Sequence, residues 1–204
     1  MFIVALLLCS VTGLAQMSPQ EKKEGFKPLF NGKNLDGWDG DPRIWKVAGG
    51  TIVGNTEGVT MEANSFLISK ERYKDFVFRA EVKLRNHNSG IQFRSERLPN
   101  WVMQGLQADM AEGNWWGGIY DEKGKRGVVV NGWKGKAEKV VKATDWNEYE
   151  VLCKGDHIEL RVNGMLTAEY DDPQKKPDGL LGFQVHKGPG MLVEWRNIRL
   201  KELK

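Results

Sequence analysis

Apolar and polar residues alternate along most of this chain with the two-residue period of strands that bury one face and wet the other. Residues 75–84 are the clearest case. Phe76, Phe78, Ala80, Val82 and Leu84 alternate there with Val77, Arg79, Glu81 and Lys83, which predicts a strand that is half core and half solvent. Residues 45–47 and 51–54 flank Gly49-Gly50 and predict a hairpin, and residues 66–68 a short apolar strand. Between 146 and 170 three alternating runs are separated by Lys154-Gly155-Asp156 and by Asn163-Gly164, a strong turn signal. Residues 180–186 and 191–200 close the domain around Lys187-Gly188-Pro189-Gly190. No amphipathic helix of useful length, fixed-period repeat or domain linker interrupts this pattern. Many short strands with turns between them predict an all-β chain, a jelly-roll β-sandwich of two antiparallel sheets.

Three of these strands put uncommon residues on the face turned from the core. In residues 88–95, Gly90, Gln92 and Arg94 oppose Ile91 and Phe93; in residues 105–110, Gly105, Gln107 and Asp109 oppose Leu106 and Ala108. In the third, Gln184 and His186 oppose Phe183 and Val185, and the closing strand adds Glu194 and Arg196 in a less clean alternation. Neighbouring positions on one concave sheet would merge these faces into a polar groove. His186 could serve as general base, because imidazole titrates near neutrality, and Asp109 is a second candidate for that role. The plain alternatives are a hydrogen-bonded surface histidine and an Asp109–Arg94 salt bridge. Gln92, Gln107 and Gln184 are better read as binders than as catalysts, since amides do not titrate, and Glu194 joins the substrate-binding candidates. Trp115 and Trp116 lie in a glycine-flanked loop expected to form a sugar-stacking rim, with Tyr120 just beyond. Trp116 and Tyr120 therefore join the substrate-binding candidates. His87 and His157 fall in expected turns and are read as solvent-exposed.

Composition narrows the partners. The net charge is +3, with both signs interspersed, so there is no basic stripe and nucleic acid is excluded as a partner. Residues 2–8 are apolar and are followed by the small-x-small Gly13-Leu14-Ala15, which reads as a signal peptide over 1–15, its apolar run too short to span a bilayer. No positive charge precedes that run. A lipoprotein site at Cys9 is the lesser alternative, since Leu8 stands where such sites want a small residue. The expected organisation is export to the periplasm or outside, a flexible polar lead over 16–25, and one β-sandwich domain over 26–204. Cys153 is then the one cysteine of the mature chain, and its alternation with Tyr149 and Val151 makes it core rather than nucleophile. Nucleophile elbows, phosphate-binding glycine loops and Cys/His metal clusters are missing from the sequence. No cofactor is called for. Asp121-Glu122 and Asp171-Asp172 are carboxylate pairs in turns, where solvation or a divalent cation such as calcium fits better than catalysis.

The order of several short motifs is more specific than any of them singly. They are the stretch from Phe30-Asn31-Gly32 to Asp36-Gly37-Trp38, then Asn88-Ser89-Gly90-Ile91-Gln92-Phe93-Arg94 and Gly105-Leu106-Gln107-Ala108-Asp109. Gly117-Gly118-Ile119-Tyr120-Asp121-Glu122, Gly182-Phe183-Gln184-Val185-His186-Lys187-Gly188 and Val193-Glu194-Trp195-Arg196-Asn197-Ile198 follow. In this order the chain resembles the 3-keto-disaccharide hydrolase family, with a concanavalin A-like or laminin-G-like jelly roll. It departs from that pattern at Trp195, where phenylalanine is usual, and at Leu106, where an aromatic is common. The resemblance implies cleavage of glycosides already oxidised at C3, with an oxidised sugar or oligosaccharide as partner. A C3 ketone acidifies the C2 proton, so a base can remove it, the C1 oxygen can leave, and water can add back; the resemblance would make His186 or Asp109 that base, with Arg94 and Gln92 as donors to the enolate oxygen. A non-catalytic carbohydrate-binding module is the rival reading on the same fold. An ordinary retaining or inverting glycosidase is a third, weakened because no carboxylate pair is evident on the groove.

Overall fold

The computed structural model describes residues 17–174 and 176–204; the expected signal peptide over 1–15, with Cys9, lies outside the described residues. The chain order is α1 (Pro19–Glu24), β1 (Lys27–Pro28), β2 (Trp38–Asp39), β3 (Trp45–Ala48), β4 (Thr51–Asn55), β5 (Ser65–Tyr73), β6 (Phe76–Leu84) and β7 (Asn88–Leu98). It continues through β8 (Val102–Ala111), β9 (Trp115–Glu122), β10 (Gly127–Val130), β11 (Asn147–Lys154), β12 (His157–Val162), β13 (Met165–Asp171), β14 (Gly179–Val185) and β15 (Leu192–Glu202). Two antiparallel sheets result, as the alternation predicts. One runs β13-β12-β11-β6-β15-β4-β3, with β1 beside β15, and the other runs β10-β9-β8-β7-β14-β5-β2. Here they are called the outer and the site sheet.

Consecutive strands change sheets at two of the turns read from the sequence. Residues around His87 carry the chain from β6 in the outer sheet to β7 in the site sheet, and 186–191 carry it back from β14 to β15. The inward side chains of both sheets fill one core. Trp38, Phe183 and Trp195 stack through it with centroid spacings of 4.8 and 4.3 Å, and full burial of each such ring contributes roughly 1.5–3 kcal/mol. Cys153 is part of this core and free, and burial pushes its thiol up to about 12, as the alternation expects.

Part of the lead read as a tether is helical. Ser18 caps α1 through a reciprocal box with Glu21, and Pro19 opens it. Glu21 also takes Arg199 at 2.7 Å and Arg79 at 3.1 Å on the outer sheet. Burial works against its ionisation, but the Ser18 N–H and these two guanidinium groups hold its carboxyl down at about 2.

The sheets differ in how they treat their second face. β6 alternates buried and half-buried residues along its whole length, the pattern of a solvated face. In contrast, β7 is buried at every position from Ser89 to Ser95, and β8 from Gly105 to Met110. Something covers the far face of the site sheet. The cover is the distal part of the β7–β8 hairpin, which folds back so that Phe66 N–H donates to the Trp101 carbonyl at 2.8 Å. Met103 sits where Gly182 has no side chain: a Cβ there would lie 2.2 Å from its sulfur. With Phe66 and Ile68 it forms a small second apolar cluster, flanked by Trp101 and Leu180.

Candidate active site

The register brings the three glutamine-bearing strands together. Gly182 lies opposite Gln92, Gln92 opposite Gln107, and Gln107 opposite Tyr120. In the next row Gly90 faces Asp109 and Asp109 faces Gly118, while Gln184 follows Phe183, the partner of Ile91. Directly opposed residues share a face. Gln92, Gln107, Gln184, Asp109 and Tyr120 therefore belong to one cluster.

Its hydrogen bonds run through Gln107. Gln92 Nε2 donates to Gln107 Oε1 at 3.1 Å, and Gln107 Nε2 donates to Asp109 Oδ1 at 2.9 Å and to Gln184 Oε1 at 3.3 Å. Gly90 makes this bridge sterically available, because a Cβ at that position would lie 2.4 Å from Gln107 Cδ. All three amides are at most 1 % exposed, yet Gln92 Oε1 has no partner among the described residues. A buried acceptor in that state costs about 1–3 kcal/mol, a cost that a ligand hydroxyl or a water would remove.

Asp109 is the chemical centre of the cluster. Burial drives its carboxyl up to about 6, against donors that favour the charged form: Gln107, the Trp115 indole at 2.6 Å, the Met110 N–H and the Asn88 side chain. A base with that value is ionised at neutral pH while keeping more affinity for a proton than a surface aspartate. From the core side the Tyr149 hydroxyl donates to the Asp109 carbonyl at 3.0 Å and fixes the strand.

His186 stands just past β14, at the end of the same face. Its Nδ1 lies 2.6 Å from the Lys187 carbonyl; a carbonyl only accepts, so Nδ1 carries the proton and Nε2 is the basic nitrogen. The His87 ring packs on it at 4.9 Å. His87 is half-buried rather than a free turn residue, and its backbone is held at φ 68 by a contact with Glu112 in each direction. Such a conformation is uncommon outside glycine. Gly188 leaves room for it, since a Cβ there would meet His87 Nε2 at 2.7 Å. Burial first, and then the neighbouring His186, push the His87 imidazole below its usual value.

Four expectations are corrected by the geometry. Arg94 does not stand beside Gln92, because a bulge between Gln92 and Glu96 turns it, at φ 46, away from the face. Its guanidinium donates to the Lys74 and Gly155 carbonyls and pairs with Asp75 at 2.7 Å, tying the site sheet to the outer sheet; it forms no bridge to Asp109. Trp116 is core, 4 % exposed and stacked near Tyr149, because a second bulge between Asp109 and Met110 places it opposite Met110. Trp115 opens β9 rather than lying in a loop, and its indole N–H donates to Asp109 Oδ2. Glu194 lies on the solvent side of the outer sheet, opposite Lys83. The carboxylates weighed for calcium already have partners: Asp121 and Asp172 share Arg126, Asp171 pairs with His157, and Glu122 accepts from Asn64. Among the described residues no group of three or more potential ligands is placed to hold a metal ion.

A family described as a 3-keto-alpha-glucoside-1,2-lyase-like domain matches residues 25–201. The chain belongs to that family. No curated protein matches the sequence. Among solved structures, a provisionally assigned glycosyl hydrolase from Parabacteroides distasonis superposes with a TM-score of 0.71 at 23% identity, covering 92% of this chain and 98% of that one. The carbohydrate-binding module CBM66 from Bacillus subtilis gives 0.63 at 14% identity, over 81% of this chain and 96% of that one. A Bacillus subtilis protein of unknown function with a galectin-like fold gives 0.60 at 11%, over 91% and 92%. These likenesses establish the jelly-roll fold, which serves enzymes and binding modules alike.

Asn88, His87 and Trp115 complete the family member's candidate site. Asn88 opens the strand that carries Gln92, and its two-residue offset from Gly90 was the available signal for it. The placement of His87 against His186 depends on a turn that crosses between sheets, for which alternation gives no cue.

Proposed function

We propose that this family member cleaves the glycosidic bond of a 3-keto-glucoside by removing the proton at C2 and expelling the oxygen at C1. Asp109 takes the C2 proton, the C1–C2 double bond forms as the C1–O bond breaks, and His186 Nε2 in its protonated form supplies the proton to the leaving oxygen. Water then adds across the double bond with the two roles reversed. The amide N–H groups of Gln92 and Gln107, which in this structure bond to neighbouring side chains, turn to the C3 oxygen as enolate charge builds there. The observation that carries this reading is Asp109: a buried carboxylate raised to about 6, inside a cluster of amides rather than opposite a second carboxylate.

The test is to supply a purified 3-keto-glucoside and its C2-deuterated form and to follow release of the leaving group. Turnover that slows on deuteration supports the elimination. Saturable glycan binding without turnover assigns the chain to the binding-module reading, and cleavage of unoxidised glucosides contradicts the mechanism.

A further inference from the structure

A cavity of about 500 Å³ lies where the folded hairpin tip meets the start of β5. Its walls include Ile44, Met61, Asn64, Ser65, Trp101 and Val102. It lies beside the strands that carry the amide cluster, since Ser65 pairs with Val185 and the next residue, Phe66, pairs with Gln184. On the same wall Asn64 Oδ1 accepts the N–H of Lys187, next to His186, at 2.9 Å. The indole of Trp101 is half-buried and held by Asp39 at 3.2 Å, so its ring has a fixed orientation. Ser65 is 7 % exposed, and its hydroxyl has no partner among the described residues.

The wall is chemically mixed in a way that selects its occupant. A buried hydroxyl without a partner favours a ligand that can donate or accept a hydrogen bond, and a plain hydrocarbon would leave that cost in place. A fixed indole favours a flat or ring-shaped partner. Of the two carboxylates on the wall, Asp41 is paired with Arg43 at 2.6 Å and Glu62 is exposed to solvent. Resting on the reading of the previous section, we infer that this cavity receives the group leaving from C1, a hydroxyl-bearing ring, with Ser65 and Trp101 as its specificity-determining residues.

The experiment compares two 3-keto-glucosides, one releasing methanol and one releasing a second glucose, by kcat/KM in the wild type and in Trp101→Ala, Trp101→Phe and Ser65→Ala. The preference for the glucose-releasing substrate falls about tenfold in Trp101→Ala and about threefold in Ser65→Ala, and largely returns in Trp101→Phe. A ratio left unchanged in folded Ser65→Ala and Trp101→Ala, with both substrates slowed by the same factor, overturns the assignment. If the wild type turns over neither substrate, the function above has failed, and quenching of tryptophan fluorescence by free glucose decides the cavity. Quenching that is lost in both variants upholds a ring-binding site, and its absence in the wild type overturns it.

Discussion

The Gly90→Ala substitution isolates the amide bridge from every other feature of the fold. A Cβ at position 90 would lie 2.4, 2.5 and 2.6 Å from Cδ, Cγ and Nε2 of Gln107. Carbon atoms need about 3.5 Å, so Gln107 must move by about 1 Å or more. Gly90 has no unusual backbone conformation to protect, and the perturbation is therefore steric alone. The displaced amide forfeits its contacts to Gln92, Asp109 and Gln184 at 3.1, 2.9 and 3.3 Å. At about 0.5–1.5 kcal/mol for each bond, less the small gain from stiffening the unfolded chain, the net cost is about 2 kcal/mol, or a Tm lower by about 5 °C. A shift of 1 Å in a positioning group can cost about 10²-fold in rate. Calorimetry and kcat/KM on a 3-keto-glucoside would be measured on Gly90→Ala and on the double variant Gly90→Ala/Gln107→Ala. The double variant relieves the clash but gives up the same three bonds, so it should recover neither stability nor activity. Activity within threefold of wild type in Gly90→Ala, or full recovery in the double variant, refutes the bridge as part of the site.

Asp109, with a folded value of about 6 against an ordinary 3.8, binds its proton more tightly in the folded protein. Its contribution to stability is therefore present below about pH 4 and lost as pH rises through about 6, roughly 3 kcal/mol in all. Thermal melts from pH 4 to 8 should show that loss in the wild type and a flatter profile in Asp109→Asn, while wild-type kcat/KM should rise with pH to a midpoint near 6. Glu21 has the opposite sign: held at about 2, it stabilises above about pH 4.5 and stops doing so as pH falls toward 2. Acid unfolding followed by tryptophan fluorescence should begin at higher pH in proteins whose Arg79 and Arg199 have been changed to Met, and Glu21→Gln should flatten the same limb. Arg94→Met breaks a buried pair with Asp75, which itself keeps some solvent contact. It should cost about 3 kcal/mol in urea titration and leave kcat within severalfold of wild type at low temperature, whereas an oxyanion donor would lose about 10²- to 10³-fold.

How much the sequence reveals depends on how long the two-residue period stays unbroken. Gln92, Gln107, Gln184 and Asp109 all sit within such runs, and all four arrive on one face. The misplaced residues lie at interruptions. Arg94 follows the bulge after Gln92, and Trp116 lies at the bulge between Asp109 and Met110; one extra residue reverses every side chain beyond it. Glu194 fails for another reason, because an alternating strand reads the same in either sheet of a sandwich and only pairing decides which. The fold-back of the β7–β8 hairpin onto β5 was also illegible. It depends on Gly105 at φ 146 and on Gly182 making room for Met103, two glycines that look ordinary in the sequence.

That cover also bears on which glycoside chemistry the face can support. A hydrolase acting on unoxidised sugars must stabilise an oxocarbenium-like cation, which takes two carboxylates across the bond, about 5–9.5 Å apart according to mechanism. Here the carboxylate at the centre of the buried cluster is Asp109, and its neighbours are amides and an indole whose N–H groups point toward negative charge. Glu122 shares the face by register, but it closes the row beyond Tyr120, opposite Gly105, and accepts from Asn64. A face lined with donors and shielded from water disfavours a cation and favours an enolate, because electrostatic interactions strengthen as the local dielectric falls. Burial that raises Asp109 to about 6 brings its basicity nearer to a C2 proton acidified by a ketone. Without the ketone, the same carboxylate faces a carbon acid far too weak for it. Under the mechanism proposed above, selectivity would rest on the oxidation at C3, and an enzyme that oxidises the sugar would have to supply the substrate.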